Sequence, residues 1–234
     1  MQERLKWLLK DKLEIIQNKT VLIIGLGGVG SYALETLART YFNHLVIVDG
    51  DKVDISNLNR QLMTNINNVG QYKTEVWRER IKEINPDCQV EVVTKFIDKD
   101  NLKSLFQTKI DYVIDACDTV ETKKEIIKYC LSNKIKFISV MGMANRLDAS
   151  KVKQSYLDKT SYDPLAKKMR SLLKKENIKG KVPVIYSDEL PLKNENLGSI
   201  AYVPAMAGLL CTNYIVNDIL KGVTNEQGIK KDYQ

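Results

Sequence analysis

Cysteine and histidine are scarce in this chain of 234 residues, and their scarcity limits the kinds of site it can build. The cysteines are widely spaced and form no C-x-x-C pair, so a zinc centre of the common kind is not expected and reduced thiols are the default. The single histidine, His44, opens an apolar run and is interpreted as a structural residue. The four cysteines are Cys88, Cys117, Cys130 and Cys211.

Long apolar runs are also missing, since no stretch approaches the 18 or so residues that a membrane span needs. The N-terminus is basic and polar and carries no signal-peptide pattern, which predicts a cytoplasmic protein. Hydrophobic content of 44% and charged content of 28% are typical of a globular chain that is long enough to bury a core. The net charge of +7 allows a polyanionic partner, although lysines on solvated helix faces would give the same figure.

A glycine-rich loop follows the apolar run 21–24 and precedes a helical pattern at 32–38. Its glycines permit a tight turn and a close approach of backbone amides to phosphate, at the positive end of the following helix. Asp49 ends a second apolar run 19 residues beyond Gly30, where a carboxylate usually accepts from ribose hydroxyls. The loop therefore predicts a nucleotide site, and its glycines are Gly25, Gly27, Gly28 and Gly30.

Strand and helix patterns alternate along most of the chain, which predicts an α/β fold with a doubly wound, mostly parallel Rossmann-like sheet. We expect residues 1–142 to form the nucleotide-binding core and residues 143–234 to form a C-terminal α+β extension on that core, within a single domain. The expected strands are 21–24, 45–48, 89–93, 111–115, 136–140, 151–156 and 182–186, and the expected helices are 3–17, 32–38, 72–84, 101–106, 120–132, 164–176 and 199–220.

Polar residues and glycines recur at fixed spacings behind the glycine loop, and they are Asp49, Asp51, Asn57, Asn59, Arg60, Gln61, Gly70, Lys73, Glu75, Asp115 and Asp118. Their spacing resembles the ubiquitin-activating-type (ThiF/MoeB/HesA-like) adenylating superfamily. The segment 141–170 is similar to one branch of it, the tRNA threonylcarbamoyladenosine dehydratases, which use ATP to cyclise a threonylcarbamoyl modification on tRNA. The family usually has an arginine before a Leu-x-Gly turn near its N-terminus; this chain has Leu8 and Leu9 without the glycine and offers only Arg4.

The resemblance implies a role for each motif residue. Arg60 and Lys73 would contact the phosphates of ATP and act in catalysis, with Arg60 suited to bidentate contact. Asp118 would hold Mg²⁺, whose preference for oxygen ligands suits a carboxylate beside phosphates. The remaining nucleotide contacts would come from the loop glycines and from Asp49, Asp51, Asn57 and Gln61. For Asp115 a helix-capping role is an equal alternative, and for Arg60 the alternative is a surface salt bridge.

The same resemblance implies tRNA as a partner, a homodimer, and a sulfur-relay protein as a further partner that the superfamily allows. The N-terminal helix and the helix at 199–220 are candidate dimer elements, although both could instead be buried within one protomer. Contacts to tRNA are expected from basic residues behind the nucleotide core, namely Arg146, Lys167, Lys168 and Arg170.

Two other functions stay open at this point. The same nucleotide site could adenylate the C-terminal glycine of a ubiquitin-like sulfur-carrier protein, although relatives with that activity often carry a paired-cysteine zinc module. A nicotinamide dehydrogenase is compatible with the glycine loop and Asp49, but no second histidine is available for its chemistry. Cys211 lies in an apolar stretch and Cys117 lies between two aspartates, so a buried structural thiol is the favoured interpretation of each.

Overall fold

The computed structural model describes residues 2–226, and within them one mixed sheet has the strand order β3-β2-β1-β4-β5-β7-β6. All neighbouring strands are parallel except β6, which is antiparallel to β7 at one edge. The strands are β1 (Thr20–Ile24), β2 (His44–Val48), β3 (Gln89–Val93), β4 (Tyr112–Asp115), β5 (Lys136–Val140), β6 (Val152–Tyr156) and β7 (Pro183–Ser187).

Helices cover both faces of the sheet, as expected when parallel strands are joined by crossover helices. They are α1 (Glu3–Leu9), α2 (Lys12–Gln17), α3 (Gly28–Arg39), α4 (Lys73–Ile84), α5 (Val120–Ser132), α6 (Pro164–Lys175) and α7 (Tyr202–Glu226). Along β1, Val21 and Ile23 face the core under α3, α4 and α7, whereas Leu22 and Ile24 face the core under α5 and α6. This alternation with both faces apolar explains why β1 is an uninterrupted hydrophobic run.

The order of the strands creates a crevice at the carboxyl ends of β1 and β4. The chain runs from β1 outward to β2 and β3, and then returns to place β4 on the other side of β1. Loops that leave β1 and β4 therefore diverge to opposite faces of the sheet. Open α/β sheets bind ligands at such a switch point.

The predicted α/β architecture is confirmed, with one local correction. The expected helix 3–17 is two helices, because Lys10 adopts φ +50, a backbone conformation that ends α1. Lys10 follows Leu8 and Leu9, at the position where the resembled family has glycine, the residue that adopts positive φ without a steric penalty. The expected short helix 101–106 is present as a 3₁₀ helix, Leu102–Phe106.

Other parts of the predicted organisation have different outcomes. The division of the chain at residue 142 stays a prediction, and residues 227–234 of the expected extension lie outside the described residues. Among the described helices, Tyr202–Gly222 is long and apolar enough to cross a membrane, but half of its most apolar window is buried inside the protein. Burial against α3 accounts for its composition, as in many core helices.

Candidate functional site

The glycine loop after β1 lies against the loop after β4, at the switch point of the sheet. Gly25 adopts φ +93, and a Cβ atom there would lie 2.7 Å from the carbonyl oxygen of Ala116. A Cβ atom on Gly30 would lie 1.8 Å from the carbonyl oxygen of Gly25. Both positions exclude any side chain, so these two glycines close the turn and bring the stretch that carries Asp118 beside it.

The N-terminus of α3 is positioned to bind an anion. Its N-cap, Gly27, has no side chain to satisfy the first helical amides, so they are available to a ligand. A Cβ atom on Gly27 would be 3.8 Å from Nε2 of Gln61, and one on Gly28 would be 3.5 Å from Cγ of Arg60. The segment with Arg60 and Gln61 therefore lies over the positive end of this helix.

Arg60 has no carboxylate partner in the described part of the chain, which argues against the salt-bridge alternative. Its Nη1 donates to the carbonyl of Ser56 at 2.8 Å and to Oδ1 of Asn59 at 2.9 Å. These bonds fix the guanidinium and leave its Nε and Nη2 protons available. Beside it, Gln61 is buried and its Oε1 has no hydrogen-bond partner.

Asp49 joins the two loops at the carboxyl ends of β1 and β2. Its Oδ2 accepts from the amide of Leu26 at 2.7 Å, and its Oδ1 accepts from the amide of Asp51 at 2.8 Å. A carboxylate has about four acceptor positions, so two stay open for a ligand's hydroxyls. Burial raises the pKa of Asp49, and the charge of Lys73 opposes that rise.

Lys73 is the first residue of α4, and its side chain is almost fully buried. Its Nζ donates to Oδ2 of Asp51 at 2.9 Å, and its amide donates to the carbonyl of the same residue at 3.1 Å. One carboxylate therefore uses one of three ammonium protons, which leaves two for phosphate oxygens. Asp51 thus positions Lys73 and is itself half exposed.

Asn57 is buried in the turn before Arg60 and has a capping role. Its Oδ1 accepts from the amide of Asp54 at 3.1 Å, while the carboxylate of Asp54 accepts from the amide of Ser56 at 2.8 Å. This reciprocal cap fixes the turn from which Arg60 extends.

Asp118 lies on the exposed loop after β4, at the same carboxyl edge of the sheet as the glycine loop. Its Oδ1 accepts a long bond of 3.5 Å from Thr119, and no other bond involves its carboxylate among the described residues. The same residues contain no cluster of three or more metal-ligating side chains. The arrangement fits a cation held by one carboxylate together with the ligand's own phosphate oxygens, as Mg²⁺ usually is.

Asp115 is completely buried below this loop and does not cap a helix, so the capping alternative is wrong. Its Oδ2 accepts from Nζ of Lys123 at 2.9 Å and from Oγ of Ser139 at 2.6 Å, and its Oδ1 accepts from Sγ of Cys117 at 3.1 Å. Sequence reasoning missed Lys123 and Ser139. The available signal was a lysine on the helix face that also carries Ile126 and Ile127.

Arg146 does not lie where the sequence interpretation placed it, whereas Arg170 is partly exposed. Arg146 is only 2% exposed, and its guanidinium serves backbone carbonyls and Asp163. Arg170 donates through Nη1 to the carbonyl of Leu157 at 3.1 Å and to both oxygens of Thr160. The bonds of Arg146 account for its guanidinium, while a contact from Arg170 to tRNA stays a prediction. Lys167 and Lys168, by contrast, are exposed on α6.

The alternative catalytic residues are poorly placed. Burial raises the pKa of both Cys117 and Cys211 well above the ordinary thiol value, so neither is a ready thiolate nucleophile. His44 begins β2 and lies at the amino edge of the sheet, opposite the glycine loop. This position removes it from the nucleotide crevice.

The model of the ThiF family matches residues 2–231. The chain belongs to the ThiF family. The tRNA threonylcarbamoyladenosine dehydratase of Bacillus subtilis (strain 168) is 40% identical over 233 residues, which span 92% of this chain and 92% of that protein. The protein of the same name from Escherichia coli (strain K12) is 38% identical over 202 residues, or 83% of this chain and 75% of that one.

Solved structures agree with this assignment. The crystal structure of E. coli TcdA, a tRNA N6-threonylcarbamoyladenosine dehydratase in complex with ATP, matches with a TM-score of 0.90 and 34% identity, and covers 95% of each chain. The AMP complex of that protein matches equally well. The molybdopterin-synthase adenylyltransferase of E. coli matches over a shorter region, with 32% identity across 63% of this chain.

Proposed function

We propose that this ThiF-family chain is an ATP-dependent tRNA threonylcarbamoyladenosine dehydratase. The observation that carries the proposal is the arrangement of Arg60 over the bare N-terminus of α3, with no carboxylate partner for its charge in the described chain. Lys73 adds a second, buried cation with unused protons. Positive groups so arranged suit a nucleoside triphosphate.

In the first step, the threonyl carboxylate of the modified adenosine attacks the α-phosphorus of ATP. A carboxylate–phosphorus bond forms, the bond from the α-phosphorus to the bridging oxygen breaks, and pyrophosphate leaves. Arg60 and Lys73 stabilise the negative charge that develops on the phosphate oxygens, and their fixed positions avoid a reorganisation cost during the reaction. Asp49 holds the ribose through its open acceptor positions.

In the second step, a ureido nitrogen of the same nucleoside attacks the activated carbonyl carbon. The ring closes, the nitrogen loses its proton and AMP leaves, so the modification loses the elements of water. The reacting groups belong to one nucleoside, which gives a high effective concentration without a protein nucleophile. The buried thiols of Cys117 and Cys211 are consistent with this chemistry.

Asp118 is the residue that would hold Mg²⁺, because its exposed carboxylate has acceptor positions left and lies at the switch point. The ion would neutralise part of the charge on the phosphates when bound. We also propose a cytoplasmic homodimer. The exposed Trp7 and Leu8 on α1 supply apolar surface for such an interface.

The conversion assay combines purified protein, ATP, Mg²⁺ and tRNA that carries threonylcarbamoyladenosine. The expected products are the cyclic nucleoside, AMP and pyrophosphate, identified by mass spectrometry of the digested tRNA. ATP turnover without cyclic product would contradict the proposal. An adenylate trapped on the C-terminal glycine of a sulfur-carrier protein, with none on tRNA, would favour the carrier-activating alternative and a sulfur-relay partner.

The variant Arg60→Ala tests the site itself. We expect its conversion rate to fall by about 10²- to 10³-fold, since one fixed charge on the transition state is lost. Arg78→Ala is the matched control, because Arg78 lies on the surface of α4 and pairs with Glu75. Equal rates for these two variants would remove Arg60 from the catalytic site.

A further inference from the structure

Tyr162 is the most exposed tyrosine among the described residues, with 64% of its surface accessible. Its backbone adopts φ +54, which is rare for a residue with a bulky side chain. Two other exposed tyrosines, Tyr72 and Tyr156, each have a lysine over the ring, whereas Tyr162 and the less exposed Tyr202 have no such cover in the described structure. The fold therefore presents a bare aromatic ring to solvent.

A buried arginine fixes the loop that presents this ring. Nη2 of Arg146 donates to the carbonyl of Tyr162 at 3.3 Å and lies 3.5 Å from Oδ2 of Asp163. Nε of Arg146 donates to the carbonyl of Gly142 at 3.1 Å, and its Nη1 donates to the carbonyl of Glu189. One guanidinium thus connects three loops, which contain Gly142, Tyr162 and Glu189.

These contacts place Tyr162 at the carboxyl edge of the sheet, the edge that carries the proposed nucleotide site. Gly142 follows the carboxyl end of β5, and its amide donates to Oδ2 of Asp163 at 3.1 Å. Strand β5 is two positions from β1 in the sheet, a separation of roughly 10 Å at the usual strand spacing. When the modified nucleoside of an RNA enters the nucleotide crevice, the adjacent nucleotides of that RNA are therefore within reach of Tyr162.

The helix that follows this loop carries unpaired positive charge. Asp163 caps α6, and the exposed face of that helix carries four lysines that have no carboxylate partner in the described chain. Their spacing places them within one broad face of the helix. A polyanion is the complementary partner for such a face. The lysines are Lys167, Lys168, Lys174 and Lys175.

We propose that Tyr162 is a stacking platform for an unpaired base in the loop of the RNA substrate, while the lysine face of α6 follows the phosphate backbone. An aromatic ring beside unpaired cations is the usual combination for single-stranded RNA, whose bases are free to stack. The inference rests on the proposed function for its substrate class. It assigns to Arg146 the role of a positioning residue for the stacking loop.

The test is direct binding, without ATP, of two RNA probes to the full chain. One probe is a stem–loop with threonylcarbamoyladenosine in its loop, and the other is a fully paired duplex of the same composition. Tyr162→Ala should weaken binding of the stem–loop by roughly 5- to 150-fold and leave duplex binding unchanged. Tyr162→Phe should restore stem–loop affinity, because it keeps the ring.

The double variant Lys167→Ala/Lys168→Ala is the matched control. It should weaken the binding of both probes and reduce the salt dependence of that binding, because phosphate contacts do not distinguish a loop from a duplex. Unchanged stem–loop affinity in Tyr162→Ala would overturn the proposal, and so would an equal loss on both probes or a change of oligomeric state in sedimentation. Wild-type protein that binds the stem–loop through Tyr162 but yields no cyclic product in the conversion assay would reject the dehydratase function and leave the stacking site standing.

Discussion

Among single residues, Lys123 has the most unusual environment, because its ammonium group is fully buried together with the carboxylate of Asp115. Burial by itself lowers the pKa of Lys123, but the carboxylate of Asp115 outweighs that effect and holds the pKa above its ordinary value. The pair joins β4 to α5 directly below the loop that carries Asp118. Its integrity therefore bears on both stability and the placement of that loop.

Lys123→Met should lower the free energy of unfolding by about 3–5 kcal/mol, because Asp115 is left as an uncompensated buried charge. Chemical denaturation followed by circular dichroism measures this loss. Lys128→Met is the control, since Lys128 is half exposed on the same helix and should change stability by less than about 0.5 kcal/mol. Adding Asp115→Asn to Lys123→Met should recover part of the loss; a further additive loss would show that the two charges are not coupled.

Among the elements, the crossing of α3 and α7 determines how the long C-terminal helix is buried. A Cβ atom on Gly208 would lie 2.4 Å from the carbonyl oxygen of Val29 and 2.8 Å from the amide nitrogen of Ala33. Next along α7, the hydroxyls of Thr36 and Thr212 lie 2.7 Å apart. The glycine thus permits backbone contact between the helices, directly behind the glycine loop.

Gly208→Ala should destabilise the protein by about 1–3 kcal/mol, because the added methyl group forces the helix backbones apart. Gly222→Ala, on the same helix with nothing within 4 Å of its Cβ position, should instead stabilise by up to about 1 kcal/mol through helix propensity. Thermal unfolding of both variants provides the comparison. A destabilisation of equal size at both positions would mean that the close approach of α3 is not the cause.

The boundaries of helices and strands show which features the sequence pattern predicts and which it misses. Alternating apolar runs correctly predicted the strands and the order of helices, since a sheet buried on both faces requires them. The break between α1 and α2 was missed because Lys10 is an ordinary helix former by composition. Only the structure shows its positive φ, which ends α1 before α2 begins.

On the scale of the whole molecule, acid sensitivity should come from a charge cluster that joins α3 to α4. Glu35 accepts from Nε and Nη2 of Arg80 at 2.6 and 2.9 Å and from Nε of Arg39 at 2.8 Å. Burial pushes the pKa of Glu35 upward, but the hydrogen bonds and charges of the two arginines outweigh it, so the pKa is lower than the ordinary 4.5. A carboxyl with a lowered pKa contributes stability above its ordinary pKa and loses it as the pH falls through the folded-state value.

Stability of the wild type should therefore decline below pH about 4.5 more steeply than that of Glu35→Gln, whose amide does not titrate in this range. Unfolding free energies measured from pH about 7 to about 3 give the two slopes. Glu79→Gln, at an exposed position on α4, is the control and should follow the wild-type curve. Parallel curves for the wild type and Glu35→Gln would exclude this cluster as the acid-labile element.

The sequence by itself determined the sheet and the choice of residues that we predict to bind the nucleotide. The spacing of Gly25, Gly30 and Asp49 is set by a strand, a turn and a helix, which are local structures that local patterns encode. The positions of Arg60 and Lys73 were likewise readable, because their distances from the glycine loop are part of a recognisable motif.

Only the tertiary structure decided which charged side chains face solvent and which are paired or hydrogen-bonded inside the protein. Arg146, Arg170 and Lys167 are all basic residues of the C-terminal extension. In the structure Arg146 is buried, Arg170 donates to a backbone carbonyl and Lys167 is exposed. The same holds for Lys123, whose partner lies on another element, and for Tyr162, whose exposure depends on three loops held by Arg146. The physical reason is that burial and pairing depend on groups that are far apart in the chain. The order of charged residues along the sequence does not specify which of them will be in contact in the fold.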